Sequence, residues 1–262
     1  MVVFAGQGDA RRAMSLLWRT PGRDEFGEVR PGPKPGLSVD AIIAAAVDVA
    51  DSHGMASLSM RAVGERLGCT AMALYTYVPS KSELVDLMYD SVLAEMPDDQ
   101  DLGAGWRPAL TAWAEDLWLF YLRHPWVLQV SQARPVLGPN EYVVLDSVLR
   151  IMFETGLEPV EVRRVTGALF QFVRGVAQTI AEARDAPTAT GTADDEWWYG
   201  RSALLQEVAT DFDTRFPMVT RLAQVGGFTL DGETTPYQEQ MSTETFRSGL
   251  VIFLDGIEAA GG

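Results

Sequence analysis

Residues 59–81 read SMRAVGERLGCTAMALYTYVPSK. Ser59 is an N-cap residue, and Met60, Val63 and Leu67 follow at i, i+3 and i+7, an apolar stripe along about two helical turns. Gly68 ends that helix, because glycine accepts the left-handed conformation beyond a helix C-terminus. Thr70 caps a second helix, Ala71 to Val78, which Pro79 stops. The stretch therefore predicts a helix-turn-helix. Its second helix opens with small or slim residues, Thr70, Ala71, Met72 and Ala73, and continues with Tyr75 and Tyr77. A helix with such a face can enter the DNA major groove, its first residues against base edges and its longer side chains on phosphates. The competing reading is a pair of packing helices in some other bundle.

Charge favours DNA. The chain has 262 residues and a formal net charge of -15, yet from Ser52 to Ser82 Glu65 is the only acidic residue, against Arg61, Arg66 and Lys81. An acidic protein approaches a polyphosphate only through a face kept clear of carboxylates. Of the 36 acidic residues, 24 lie beyond residue 96.

The stretch resembles the DNA-binding half of the TetR family of bacterial transcriptional regulators over roughly Ser38 to Met96. Ser59 matches the cap, Gly68-Cys69-Thr70 the turn, Leu74-Tyr75-Thr76-Tyr77-Val78 the aromatic end and Pro79-Ser80-Lys81 the exit. Two positions depart from the family pattern: Gly64 stands where alanine is usual, and Tyr77-Val78 replace a common His-Phe pair. The resemblance implies an all-α protein, with an N-terminal three-helix helix-turn-helix domain and a larger C-terminal helical ligand-binding and dimerisation domain. It implies a homodimer on palindromic, double-stranded operator DNA, released by a small hydrophobic effector. The expected DNA-facing set is Ser59, Arg61, Thr70, Ala71, Met72, Tyr75, Thr76, Tyr77 and Lys81.

Residues 1–36 are rich in Gly and Pro and end in RPGPKPG, which no continuous helix can cross. They read as a flexible arm. Ala13 to Trp18 is a short apolar stretch within it, and Met14 offers a second candidate start. Either the arm is a disordered leader, or Arg30 and Lys34 reach the minor groove from its braced end. Residues 37–96 form the DNA-binding domain with a connecting helix. Its first helix, Ser38 to Ser52, turns Ile42, Ile43, Ala46 and Ala50 inward. Its last opens on a capping box, Ser80 to Glu83, and is expected to be the one rigid link to the remainder.

Residues 97–262 read as helices punctuated by Pro and Gly, with a loop expected at 185–195. One helix turns Tyr142, Leu145, Val148 and Met152 inward. The long helix from Pro159 to about Arg184 and the last, about Thr243 to Ala259, carry Gly167, Gly175, Gly249 and Gly256. A helix-interior glycine costs about 1 kcal/mol relative to alanine, so these suggest close helix packing. The family resemblance implies a dimer interface through 159–184 and 243–259; packing within one chain is the alternative.

An effector pocket needs a few polar groups among apolar walls. Trp113, Leu117, Tyr121, Trp126 and Phe153 are candidate walls, with His124, Gln171, Arg174 and Gln178 as polar candidates. His124 reads first as a capping or hydrogen-bonded core histidine, with a ligand contact as the alternative. Trp197, Trp198 and Tyr199 read as a lid or a subunit contact. A C-terminal domain that meets a protein partner is the alternative function. No catalytic motif, phosphate-binding glycine loop or metal-spaced Cys/His cluster is present, so neither an enzyme nor a cofactor is expected. One cysteine, no export leader and no membrane-length apolar run point to the cytoplasm, with no membrane partner.

Overall fold

The computed structural model describes residues 3–19, 37–229 and 237–261. Among these, regular structure is helical, apart from a single parallel bridge between Val3 and Val130. In chain order the helices are α1 (Ala10–Leu17), α2 (Val39–His53), α3 (Met60–Leu67), α4 (Ala71–Tyr75), α5 (Lys81–Leu93) and α6 (Trp106–Arg123). Then come α7 (Pro139–Met152), α8 (Pro159–Thr190), α9 (Asp194–Val208), α10 (Phe212–Arg215), α11 (Pro217–Gln224) and α12 (Tyr237–Gly261). Single 3₁₀ turns occupy Pro125–Gln129 and Phe153–Thr155. The fold is all-α, with the helix-turn-helix at α3–α4.

Capping chemistry sets the N-terminal boundaries. Ser38, Ser59 and Ser80 each accept from the backbone N–H three residues on, in Ala41, Ala62 and Glu83, at 3.1 Å in each case. These bonds satisfy N–H groups that a helix start leaves without intrahelical partners. Glu83 returns to Ser80 by accepting from its hydroxyl at 2.9 Å. Gly68, at φ +68°, ends α3 in the left-handed region. The expected cap at Thr70 holds only in backbone position, for its hydroxyl makes no capping bond, and α4 is shorter than the eight residues expected.

The chain divides into two compact units, Met1–Arg174 with Gly256–Gly262, and Gly175–Asp255. This division differs from the one drawn at residue 96, because α5 packs against both α2 and α7. In the first unit, Ile42, Val63, Leu74, Leu84 and Met88 bury fully around α5, and Trp113, Leu117, Ile151 and Leu169 form a second apolar cluster.

Three expectations are revised. Residues 3–19 are an ordered segment, with Ala5, Ala13 and Leu17 buried, while the rest of the expected arm, including Arg30 and Lys34, lies outside the described residues. On α7 the buried face is Val144, Ser147, Val148, Ile151 and Met152, and Tyr142 and Leu145 are exposed. The small, polar residues 185–190 extend α8, which carries Pro187 and gives way at Gly191, φ +72°. A Cβ on Gly167, Gly175 or Gly256 would meet nothing within 4 Å, so packing within the described chain, the alternative to a subunit interface, does not account for those glycines.

Candidate DNA interface and effector cavity

Leu74 and Val78 anchor α4 with no exposure, and this fixes which of its side chains face outward. Ser59, Arg61, Thr70, Met72, Tyr75, Thr76 and Lys81 are exposed, while Ala71 and Tyr77 are half-buried. Met72 stands out at 74% exposure, an unbranched apolar side chain with nothing of its own to pack on. Gly64 has a steric explanation. A Cβ there would lie 2.7 Å from the Cys69 carbonyl oxygen, so in this chain the turn sits closer to α3 than a β-carbon allows without a backbone shift. Cys69 N–H in turn donates to the Gly64 carbonyl at 2.9 Å. Arg61 is paired with Glu65 at 2.9 Å and Arg66 with Asp48. Exposed pairs of this kind are worth about 0–1 kcal/mol, so a phosphate can replace the carboxylate.

A cavity of about 390 Å³ lies farther along α5, walled by Tyr89 and Leu93 of that helix. Leu117 and Tyr121 of α6, Val144 of α7 and Gly167, Phe170 and Gln171 of α8 complete its packed sides, and residues 130–137 close it with irregular chain. Three of its polar groups form a chain, beside Ser131, Arg134 and Glu141. Gln171 Nε2 donates to Gln132 Oε1 at 3.1 Å, and Gln132 Nε2 donates to the Tyr121 hydroxyl at 3.3 Å. Burial pushes the Tyr121 phenol above its ordinary range, with Arg174 pulling the other way, and burial raises Tyr89 as well. Both phenols therefore stay neutral at physiological pH, able to donate or accept.

Three of the nine expected ligand residues, Leu117, Tyr121 and Gln171, line this cavity. Arg174 stands behind it, its guanidinium donating to the carbonyls of Leu128 and Val130. Trp113 is one layer deeper, donating to Ser147 Oγ at 3.1 Å and packing edge-on to Phe170 at 5.2 Å. The other four are not brought there. Phe153 is 59% exposed after α7, and Gln178 donates to Glu182 in the second compact unit. His124 and Trp126 face α2 instead.

His124 closes a clamp between elements. Its Nδ1 lies 2.8 Å from Asp51 Oδ1, at the end of α2, and its Nε2 lies 3.2 Å from Glu95 Oε2, just beyond α5. Trp126 Nε1 donates to the same Asp51 oxygen at 2.8 Å. Burial pushes the Glu95 carboxyl up, but hydrogen bonds from Arg123 and His124 outweigh it and hold the group below its usual range. The connecting helix is thus not the sole rigid link, since the α6 end also grips α2. The clamp is built by the local run Arg123-His124-Pro125-Trp126, but its partner Asp51 lies 73 residues away, so no local pattern displays it.

The sequence profile described as "Bacterial regulatory proteins, tetR family" matches residues 42–88, and that described as "Tetracyclin repressor-like, C-terminal domain" matches 97–260. The chain belongs to the TetR family. Among its TetR-type relatives, the HTH-type transcriptional repressor DrrR1 of Streptomyces coeruleorubidus is 38% identical over 221 residues, 84% of this chain and 79% of that one. An HTH-type transcriptional regulator of Saccharopolyspora erythraea is 32% identical over 163 residues, 62% of this chain and 66% of its own. The crystal structure of the Streptomyces coelicolor TetR family protein ActR in complex with actinorhodin superposes with a TM-score of 0.68 at 26% identity, covering 87% of this chain and all of that one. This TetR-family chain is a DNA-binding transcriptional regulator and not an enzyme. Among its described residues no helix is long and apolar enough to cross a membrane.

Proposed function

We propose that this chain is a ligand-released repressor, a homodimer that holds a palindromic operator through α4 and lets go when a small, largely apolar effector fills the 390 Å³ cavity. One observation carries the reading: α5 supplies two cavity walls, Tyr89 and Leu93, and begins three residues after Val78, the buried anchor that follows α4. A ligand that pushes on Tyr89 therefore moves the support of the recognition helix. Thr70, Ala71, Met72 and Thr76 face the bases, and Tyr75, Tyr77 and Lys81 the phosphates, with Ser59 and Arg61 beside them. Two such helices meet one face of DNA only when spaced by about 34 Å. The effector must favour the DNA-incompetent state by about 1.4 kcal/mol for each tenfold loss of operator affinity.

The cavity volume falls within the range of small-molecule sites, about 300–1,000 Å³, which favours a small effector over a protein partner. Aromatic walls with a Gln171–Gln132–Tyr121 chain suit a flat aromatic compound bearing hydroxyl or carbonyl groups, and ActR's complex with actinorhodin supports that class. The dimer is assigned to the helices around 159–184 and 243–259, where Val251 and Ile252 are exposed. The protein acts in the cytoplasm, where its DNA is.

Gly167→Leu tests the cavity. The substitution projects into open space at the cavity wall and should leave affinity for a labelled fragment of the protein's own promoter unchanged. The concentration of a releasing aromatic compound should rise by tenfold or more, about 1.4 kcal/mol. Compounds that bind tightly, by tryptophan quenching, yet leave the wild-type DNA complex intact would contradict the release mechanism.

A further inference from the structure

The segment before α2 makes bonds that neither the DNA face nor the cavity requires. Val3 pairs in parallel with Val130, its N–H donating to the Gln129 carbonyl at 2.9 Å and its own carbonyl accepting from Ser131 N–H at 2.7 Å. Three residues on, Gly6 N–H donates to Asp86 Oδ2 on α5 at 3.0 Å. Gly8 then lies flat on Glu83 of the same helix, so close that a Cβ would stand 2.6 Å from its Oε1. After α1, which Asp9 caps and which buries Ala13 and Leu17, the Trp18 indole N–H donates to the Leu137 carbonyl at 2.9 Å. Arg19 ends the run on Asp40, in the first turn of α2.

These bonds have a pattern. Two of the anchoring points, 129–131 and 137, lie at the two ends of the irregular cavity wall. The others lie on α5 and α2. Leu137 is the one non-glycine residue with positive φ, +63°, among the described residues, and it is held on both sides, by Trp18 at its carbonyl and by Glu141 Oε2 at its N–H. A β-carbon in that region costs on the order of 1 kcal/mol, so the wall keeps this conformation only while its surroundings hold it. The two carboxylates under the segment are buried too, and Asp86 Oδ1 has no hydrogen-bond partner.

We propose that residues 3–19 are a strap that fixes the 130–137 wall of the cavity to α5 and α2, so that displacement of the wall is passed to the DNA-binding helices by a route that does not run along α5. Its importance for regulation rests on the cavity being the effector's seat. The strap itself does not, so it is tested without effector or DNA.

Amide hydrogen exchange on the full chain is compared with a chain begun at Met14, with Gly8→Val and with Trp18→Phe. Gly8→Val drives a β-branched side chain into Glu83 and lifts the strap from α5. Trp18→Phe keeps an aromatic ring beside Tyr142, 6.1 Å away in the parent, but removes the N–H bonded to Leu137. The first two variants should speed exchange by tenfold or more across 129–137 and, with it, across 81–90 and the first turn of α2. Trp18→Phe should speed it several-fold from 137 to 142. Unchanged exchange at 129–137 overturns the strap, and faster exchange confined to the wall overturns its coupling to the DNA-binding helices. Should the shortened chain also loosen α6, Trp18→Phe decides alone, since unaltered exchange at 137–142 in that variant removes the tie. Failure of the effector reading would leave these results unaffected.

Discussion

Within the helix-turn-helix, capping bonds join residues three apart, Ser59 to Ala62 and Ser80 to Glu83. In the cavity the corresponding polar bonds join Tyr121 to Gln132 and Gln132 to Gln171, spans of 11 and 39 residues. The DNA-facing part is held by its own neighbours along the chain, so it moves as one piece. The cavity is assembled from α5 to α8 and an irregular wall, so it yields to what fills it. A regulator needs both properties, and α5 carries them at its two ends, Ser80 with Glu83 at one and Tyr89 with Leu93 at the other.

That contrast is broken most severely at Gly64. A valine there collides with the Cys69 carbonyl, a backbone atom that cannot turn aside. Gly64→Val should weaken binding to the promoter fragment by more than thirtyfold, about 2 kcal/mol or more, while aromatic-compound binding measured by tryptophan quenching stays within twofold. Equal loss of both would show that the two regions are not independent.

His124→Ala sharpens the comparison from the other side, because the clamp joins the regions. The change leaves Asp51 with only the Trp126 N–H and Glu95 with Arg123. Stability to heat should fall by roughly 0.5–3 kcal/mol, from the lost hydrogen bonds and the space left by the buried ring, since Asp51 and Glu95 are themselves open to solvent. Promoter affinity should fall with it, as α2 loses its hold on the α6 end. A destabilised protein with unaltered DNA binding would confine the clamp to stability.

The smallest effect is a pH dependence at the strap. Burial raises the Asp86 carboxyl to about 6, offset in part by the Gly6 N–H and reinforced by Glu83 and Glu141. With the folded value above the ordinary 3.8, its favourable contribution is fully present below that pH and is lost as pH rises through about 6. The wild type should therefore gain stability between pH 7.5 and pH 5 relative to Asp86→Asn. The variant should be the more stable of the two at pH 7.5, by on the order of 1 kcal/mol. Parallel melting curves for the two proteins across that range would contradict the assignment.

Legibility in the sequence followed the same division. Ser38, Ser59, Gly68 and Ser80 announced their helix ends because each acts on residues within one turn. Thr70 did not behave alike, since its hydroxyl caps nothing. Farther on, the periodicity of α7 was real but its phase was not readable: Tyr142 and Leu145 were expected inside, and they sit exposed along the cavity side. In the sequence Gly167 signals packing alone, and that it also lines the cavity is visible only once α5 and α6 are in place. Trp126 looked like a pocket residue because its partner Asp51 lies far back in the chain, whereas His124 is the hydrogen-bonded core histidine of its first reading. Residues 3–19 looked like an arm because their bonds run to α5 and to the wall near Val130, which no local pattern displays.

The most direct measurement is the salt dependence of promoter binding for the wild type, Lys81→Ala and Met72→Ala, on the natural fragment and on singly substituted ones. Lys81→Ala should weaken all fragments alike and flatten the slope of log affinity against log salt by about one unit, the signature of one lost phosphate contact. Met72→Ala should keep the wild-type slope and change the ranking of the fragments, the signature of a side chain against base edges. If both variants bind the same fragments in the same order with the wild-type slope, α4 is not the helix that reads the DNA.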